Sequence, residues 1–375
     1  MNLTDRFMGC LIGGAVGDAL GAPIEFLSRS AILRQFGPSG LTDHTPAYGG
    51  LGRITDDTQM TLFTADGLIR TRVRVAHKGI TDPVGVTAQA YLRWLMTQGS
   101  HPQPDVVSGM DQPGWLYPIK ALHACRAPGN TCLSALKSMK SLGEMAHNQS
   151  KGCGGIMRMA PVGLWMAGDG SPTADIDCFR LACELAGLTH GHPTGQLTAG
   201  VFAVLIRRLA NGQTLQTALN AASVALETAA STETAHETRI ALSNAVRLAS
   251  AAGPTDTTDA EHAANIACLG EGWVAEEAMS ISVYCAVVAK DFAHGIRLAI
   301  NHSGDSDSTG SITGNLLGCI HGVGAIPAHW LEPLELQAEI AAVARDLCHY
   351  GSADWQDTAL PAIESDETWQ RYPGF

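Results

Sequence analysis

The run Gly304-Asp305-Ser306-Asp307-Ser308-Thr309-Gly310 places two carboxylates at i and i+2 among three hydroxyl side chains. Far upstream, Thr55-Asp56-Asp57-Thr58 has the same character. Both offer hard oxygen donors and contain no cysteine or histidine. Such donor sets suit Mg2+, Mn2+ or Ca2+ and argue against zinc. Either run alone reads equally as a helix cap or turn. One Asp suffices for a cap, so the doubled carboxylates in both runs are the informative feature. Converging carboxylates raise one another's pKa unless cations lie between them. The expectation is that the two runs meet around a pair of divalent cations. A calcium-sensor loop starting at Asp305 is excluded, because its twelfth position, which needs a bidentate Glu, is Leu316.

The elements that must position these residues are helical, since apolar spacing at 3.6-residue periodicity dominates and alternation is sparse. The first helix starts at an Asn2 or Thr4 cap and runs through Ala19. Within it Gly9, Gly13, Gly17 and Gly21 recur every four residues. Glycine weakens a helix, so such a row needs a packing reason: close approach of another backbone. Gly310, Gly314 and Gly318 form a second row directly after the acidic run. The two rows are expected to pack together and bring Glu25, at the exit of the first helix, near both acidic runs. Residues 37 to 54 read as a long loop, and Gln59 to Arg70 as a helix with Asp56 and Asp57 at its start. The fold class is all-α, in one domain over 1–350 with a tail, 351–375, packed on its surface.

Three further features could carry chemistry. Gly152-Cys153-Gly154-Gly155 is a glycine-rich turn entering an apolar helix; its N–H groups could hold an anion, although it is not a Walker loop. Thr189-His190-Gly191-His192 is a polar junction, in which His192 reads as a turn residue and His190 either as that or as part of a site. Arg158 reads as a surface or structural ion pair, and Asp18 as a hydrogen-bond acceptor behind the site or part of a helix exit.

The 375 residues are 45% hydrophobic and 16% charged, with a formal net charge of −12. This describes a globular chain without the basic face that nucleic-acid binding requires. The 10 cysteines show no Cys-x-x-Cys pair. Cys10, Cys183, Cys268, Cys285 and Cys319 read as small buried hydrophobes in a reducing compartment. The apolar run Phe7 to Val16 is broken by glycines and preceded by Asp5, so a cytoplasmic protein with no membrane association is expected.

On these residues the chain resembles the ADP-ribosylglycohydrolases. The resemblance rests on Gly17-Asp18-Ala19-Leu20-Gly21, on Thr55 to Thr58, and on Gly152 to Arg158 leading into Met159-Ala160-Pro161. It continues with Thr189-His190 and Gly304 to Asp307. The order matches along most of the chain. The resemblance implies an orthogonal helical bundle with a binuclear Mg2+ or Mn2+ centre. Thr55, Asp56 and Asp57 would serve one side and Asp305, Asp307 and Ser308 the other, with Asp307 bridging. It further implies hydrolysis of the bond joining ADP-ribose to a protein side chain, foremost arginine. Glu25 and Asp57 are then the candidates for proton transfer. Gly152, Cys153, Gly154 and Gly155 would hold the diphosphate, and His190 would contact the substrate. The partners implied are an ADP-ribosylated protein and ADP-ribose as product, with the enzyme a monomer. Relatives often carry Thr at the position of Ser308 and Asn at that of Cys153. The alternatives are another ADP-ribose linkage (serine, O-acetyl or nucleic acid) or a silent binding protein.

Overall fold

Asn2 caps the first helix, its side chain accepting from the Asp5 N–H at 2.8 Å. In the computed structural model, which describes residues 1–106, 113–252, 257–351 and 366–374, that helix is α1 (Leu3–Gly21). It is followed by α2 (Arg29–Phe36), α3 (Asp56–Lys78), α4 (Pro83–Thr97), α5 (Asn130–Ser138) and α6 (Ala160–Trp165). Then come α7 (Ala174–Gly187), α8 (Pro193–Ala210), α9 (Leu215–Ala229), α10 (His236–Ala252), α11 (Asp259–Ala267) and α12 (Ala275–Val288). The last are α13 (Phe292–Ile300), α14 (Ser306–His321), α15 (Ala328–Leu331), α16 (Gln337–Tyr350) and α17 (Asp366–Arg371). Among the described residues there is no β-strand, only two isolated bridges. The all-α expectation therefore holds.

Helix ends follow local chemistry. Asp82 caps α4 ahead of Pro83, accepting from Val84 and Gly85 N–H at 3.1 Å each, a first-turn proline arrangement. Helix α3 outruns the expected Arg70 and stops at Gly79, in the left-handed conformation with φ +72, as a terminating glycine should. Inside it Asp66 lies 2.8 Å from Arg70 Nε and 3.0 Å from Arg93 on α4, so this buried acid ties the two helices together.

The core is organised on α1 and α14, both buried along nearly their whole lengths. They run antiparallel with the glycine rows face to face. A Cβ built on Gly9 would lie 2.2 Å from the Gly318 carbonyl oxygen, on Gly13 2.4 Å from that of Gly314, and on Gly21 2.2 Å from that of Ser306. No side chain fits there, which explains the tolerance of four glycines in one helix despite about 1 kcal/mol of lost propensity each. The fixed register sets the C-terminal end of α1 beside the N-terminal end of α14.

Of the 351–375 tail, residues 352–365 and 375 lie outside the described residues. Tyr372 is buried and donates to Asp346 at 2.6 Å, while Arg70 donates to the Pro373 carbonyl at 3.1 Å. No described helix is long and apolar enough to cross a membrane. All ten cysteines are free thiols. Cys10, Cys285 and Cys319 are buried as expected, whereas Cys268 is exposed and Cys183 half-buried. Cys268 sits at the end of the short surface helix α11, where apolar spacing does not turn inward.

Candidate metal centre

Asp18, near the end of α1, is fully buried and fastens the first acidic run. Its carboxylate accepts the Thr55 N–H at 3.1 and 3.0 Å and the Thr55 hydroxyl at 2.9 Å. It also accepts the Thr58 N–H at 3.2 Å and the Thr58 hydroxyl. The structure thus decides the role left open for Asp18: it is the acceptor that holds the start of α3. Thr55 caps α3, its Oγ1 accepting from Asp57 N–H at 3.3 Å. The preceding Ile54 carbonyl is held by Arg126 at 2.6 Å, and Arg126 is itself ion-paired with Glu335. Asp56 accepts the Gly129 N–H at 3.2 Å.

The second run starts α14. Gly304 has φ +117, and a Cβ there would strike the Glu271 carbonyl oxygen at 2.0 Å. Only glycine meets both demands. The next residue donates back, Asp305 N–H to the same carbonyl at 2.8 Å. Asp305 caps α14 through the Ser308 N–H at 3.3 Å, and Asp307 accepts that N–H at 2.9 Å. The two runs meet directly: the Ser308 hydroxyl donates to Asp57 Oδ2 at 3.3 Å. Oxygens of Glu25, Asp305 and Asp307 lie within 4.8 Å of one another. Asp56, Asp57, Asp305, Asp307, Ser308, Thr55 and Glu25 are therefore brought together.

Six buried carboxylates share this region, counting Asp18. Among the described residues none of them forms an ion pair with Lys, Arg or His. Burial first, then the neighbouring negative charges, pushes Glu25 up to about 10 and Asp18 up to about 7. Asp56, Asp57 and Asp307 are raised by burial and then by charges within the group. Asp305 is raised by burial, against hydrogen bonds from Asp307, Cys153 and Ser308. Two helix N-termini face the group, but a helix end offsets only about 0.3–1 kcal/mol per charge. Burying one carboxylate costs several kcal/mol. Helix ends alone leave the balance unfavourable, and Asp57 Oδ1 and Glu25 Oε2 are buried without any hydrogen-bond donor. An all-oxygen donor set with orphaned carboxylate oxygens fits a hard divalent cation.

The glycine turn Cys153–Gly155 is a short 3-10 segment. Its amides are partly used inside the chain: Gly152 donates to Ser150 Oγ at 3.3 Å, Cys153 to the Trp273 carbonyl at 3.1 Å, and Gly155 to the Gly152 carbonyl at 3.4 Å. Backbone approach, more than free N–H groups, is what the glycines offer. Burial, then the charges of Asp305 and Asp57, pushes the Cys153 thiol up. His190 is 1% exposed and lies behind the turn, its ring 3.2 to 3.4 Å from Cβ positions built on Gly152, Gly154 and Gly155. It shares a hydrogen bond with Thr189 Oγ1 at 2.8 Å. Burial, then the Arg158 charge, lowers it to about 3, so it is neutral. His192 instead caps α8, Nδ1 accepting from Thr194 N–H at 3.2 Å.

Arg158 overturns the ion-pair expectation. It is fully buried, donates to Thr189 Oγ1 at 2.6 Å, and sits 4.4 Å over the Tyr91 ring. A ring face and a hydroxyl replace a carboxylate, a geometry only tertiary packing reveals. Sequence reasoning gave Thr58 no separate role and missed the loop Gly270 to Val274, which holds both Asp305 and the glycine turn. Gly270 (φ +119) and Gly272 (φ +86) give that loop its positive-φ turns.

A family model described as ADP-ribosylglycohydrolase matches residues 1–357. The ADP-ribosyl-[dinitrogen reductase] glycohydrolase of Rhodospirillum rubrum is 26% identical over 344 residues, 89% of this chain and 92% of that protein. ADP-ribosylarginine hydrolase Tri1 of Serratia proteamaculans is 23% identical over 348 residues, 92% of this chain and 79% of that protein. Among solved structures, an ADP-ribosylglycohydrolase-related protein complex shares the fold with a TM-score of 0.65. That likeness holds at 24% identity over 94% of this chain and 99% of the other.

Proposed function

The chain belongs to the ADP-ribosylglycohydrolase family, and on that premise we propose that it hydrolyses the N-glycosidic bond joining ADP-ribose to arginine in modified proteins. That it is a glycosidase-type hydrolase of ADP-ribosyl bonds follows from the family itself. The arginine linkage and the roles below are our reading. The observation that carries it is the convergence of Glu25, Asp305 and Asp307 within 4.8 Å, joined to the first acidic run by Ser308 and Asp57 at 3.3 Å.

Thr55, Asp56, Asp57, Asp305, Asp307 and Ser308 would hold two divalent cations, Mg2+ or Mn2+. When bound, these would grip the vicinal hydroxyls of the distal ribose and fix its orientation. The Thr55 hydroxyl donates its proton to Asp18 and accepts from Asp57 N–H, which leaves one lone pair on its oxygen for a cation. Asp18 supports the ligands from behind, as the partners of metal ligands commonly do.

Cleavage breaks the bond between the anomeric carbon and the guanidine nitrogen, through an oxocarbenium-like state that nearby carboxylates stabilise. Water supplies the hydroxyl to that carbon. Its proton passes to Asp57, and the departing guanidine takes a proton from Glu25. The products are ADP-ribose and unmodified arginine. The turn Gly152–Gly155, with Cys153, lines the diphosphate, and His190 buttresses it from behind.

The test is metal-dependent release of ADP-ribose from arginine-modified protein, compared with serine-modified protein. Release with Mg2+ or Mn2+ from the arginine conjugate, absent in chelator, supports the reading. Release from the serine conjugate alone overturns the linkage, and no release from either overturns the whole.

A further inference from the structure

Two exposed aromatic side chains are attached to the walls of the carboxylate group. Phe26 directly follows Glu25 and is 70% exposed; Trp273 is 38% exposed. Trp273 follows Gly272, where a Cβ would lie 3.3 Å from the Asp305 Cβ, and its carbonyl holds Cys153 N–H at 3.1 Å. Phe26 and Trp273 stack on one another, ring centroids 5.8 Å apart and planes 18° from parallel.

Scattered exposed apolar residues need no account, but rings gathered at a site do. Ring faces are electron-rich, and a carboxylate stands beside them: Glu271 accepts from the Trp273 Nε1–H at 3.3 Å. Such a surface attracts a planar, delocalised cation. A guanidinium gains both the ring faces and the Glu271 charge. An adenine base gains stacking but no charge attraction, and a serine hydroxyl gains neither. We infer that Phe26 and Trp273 receive the guanidinium of the ADP-ribosylated arginine and so set a preference for arginine over serine conjugates. This rests on the site being an ADP-ribosyl hydrolase centre, as argued above.

The experiment measures kcat and KM on ADP-ribosylarginine and the inhibition constant of free ADP-ribose, using the full chain with Mg2+ or Mn2+. Phe26→Leu and Trp273→Leu keep apolar bulk and remove the ring face; Phe26→Tyr keeps it. The leucine variants should lose about five- to tenfold in kcat/KM on the arginine conjugate, mainly through KM. Phe26→Tyr should restore it, and inhibition by ADP-ribose should stay within about twofold. Equal weakening of ADP-ribose inhibition would overturn the inference, because the rings would then hold the base. Unchanged kcat/KM in the leucine variants would overturn it as well, while leaving the hydrolase reading intact. A wild-type protein inert on arginine conjugates would instead overturn that underlying reading and this inference with it.

Discussion

A Cβ placed on Gly17 would lie 2.0 Å from the carbonyl oxygen of Gly310. The contact is backbone on backbone, so no side chain can move aside to relieve it. Gly17→Ala should therefore force α1 and α14 apart at the level of Asp18 and Asp307. We expect a loss of about 3 kcal/mol, the upper end for overpacking a core, and weaker divalent-cation binding. Gly170→Ala, where a Cβ meets nothing within 4 Å, should lie within about 0.5 kcal/mol of wild type. Urea unfolding of both variants checks the contrast; equal stability would mean that the helix pair can part freely.

The carboxylate group makes a linked pH and metal prediction. In metal-free protein the folded state raises Asp18 to about 7 and Glu25 to about 10. A raised carboxyl pKa means that the folded state holds more protons than the unfolded one. Stability from these groups is then complete below the unfolded value of about 4 and is lost as pH rises through the folded values. The melting temperature in chelator should fall from pH 5 towards pH 8, and Mg2+ or Mn2+ should raise it more at pH 8 than at pH 5. Thermal melts at the two pH values decide; a metal-induced shift larger at pH 5 would contradict the carboxylates as ligands.

Asp18 touches no solvent and is not itself assigned as a ligand, yet it accepts from both Thr55 and Thr58. Asp18→Asn keeps its shape but turns an NH2 towards at least one of these donors. Its effect should appear as about 10- to 100-fold weaker Mn2+ binding, the range for partners of metal ligands. Calorimetric titration with Mn2+ reads this directly. An unchanged affinity with intact fold would reduce Asp18 to a packing residue.

Glu25→Gln separates proton transfer from cation binding. If Glu25 serves chiefly as the acid, kcat should fall by about 10²–10⁴ while Mn2+ affinity changes only severalfold. If its oxygens near Asp305 and Asp307 instead belong to a cation, affinity and kcat should fall together. Mn2+ titration beside turnover on the arginine conjugate distinguishes these outcomes.

Much of the candidate site is legible along the chain because helix starts concentrate their chemistry locally. Asp-rich, hydroxyl-rich caps at 55–58 and 305–309 show hard oxygen donors whatever the fold, and four-residue glycine spacing requires close helix contact in any context. Less legible were groups whose partners lie far away in sequence. Asp18 reads ambiguously until Thr55 and Thr58 are seen to donate to it. Arg158 looks like half of an ion pair until Tyr91 and Thr189 are found around it. The rings at 26 and 273 carry no joint periodicity at all.

Residue order alone therefore decided the all-helical class, the two acidic runs, their oxygen chemistry and the four-residue glycine rows, since each depends on spacing within one helix. Tertiary structure alone decided which carboxylates share one volume, that none of them finds a cationic side chain among the described residues, and that Ser308 reaches Asp57. The physical reason is that a helix sets the directions of its own side chains, whereas proximity between distant segments depends on how whole helices pack. Here that packing is set by α1 and α14 meeting at backbone distance.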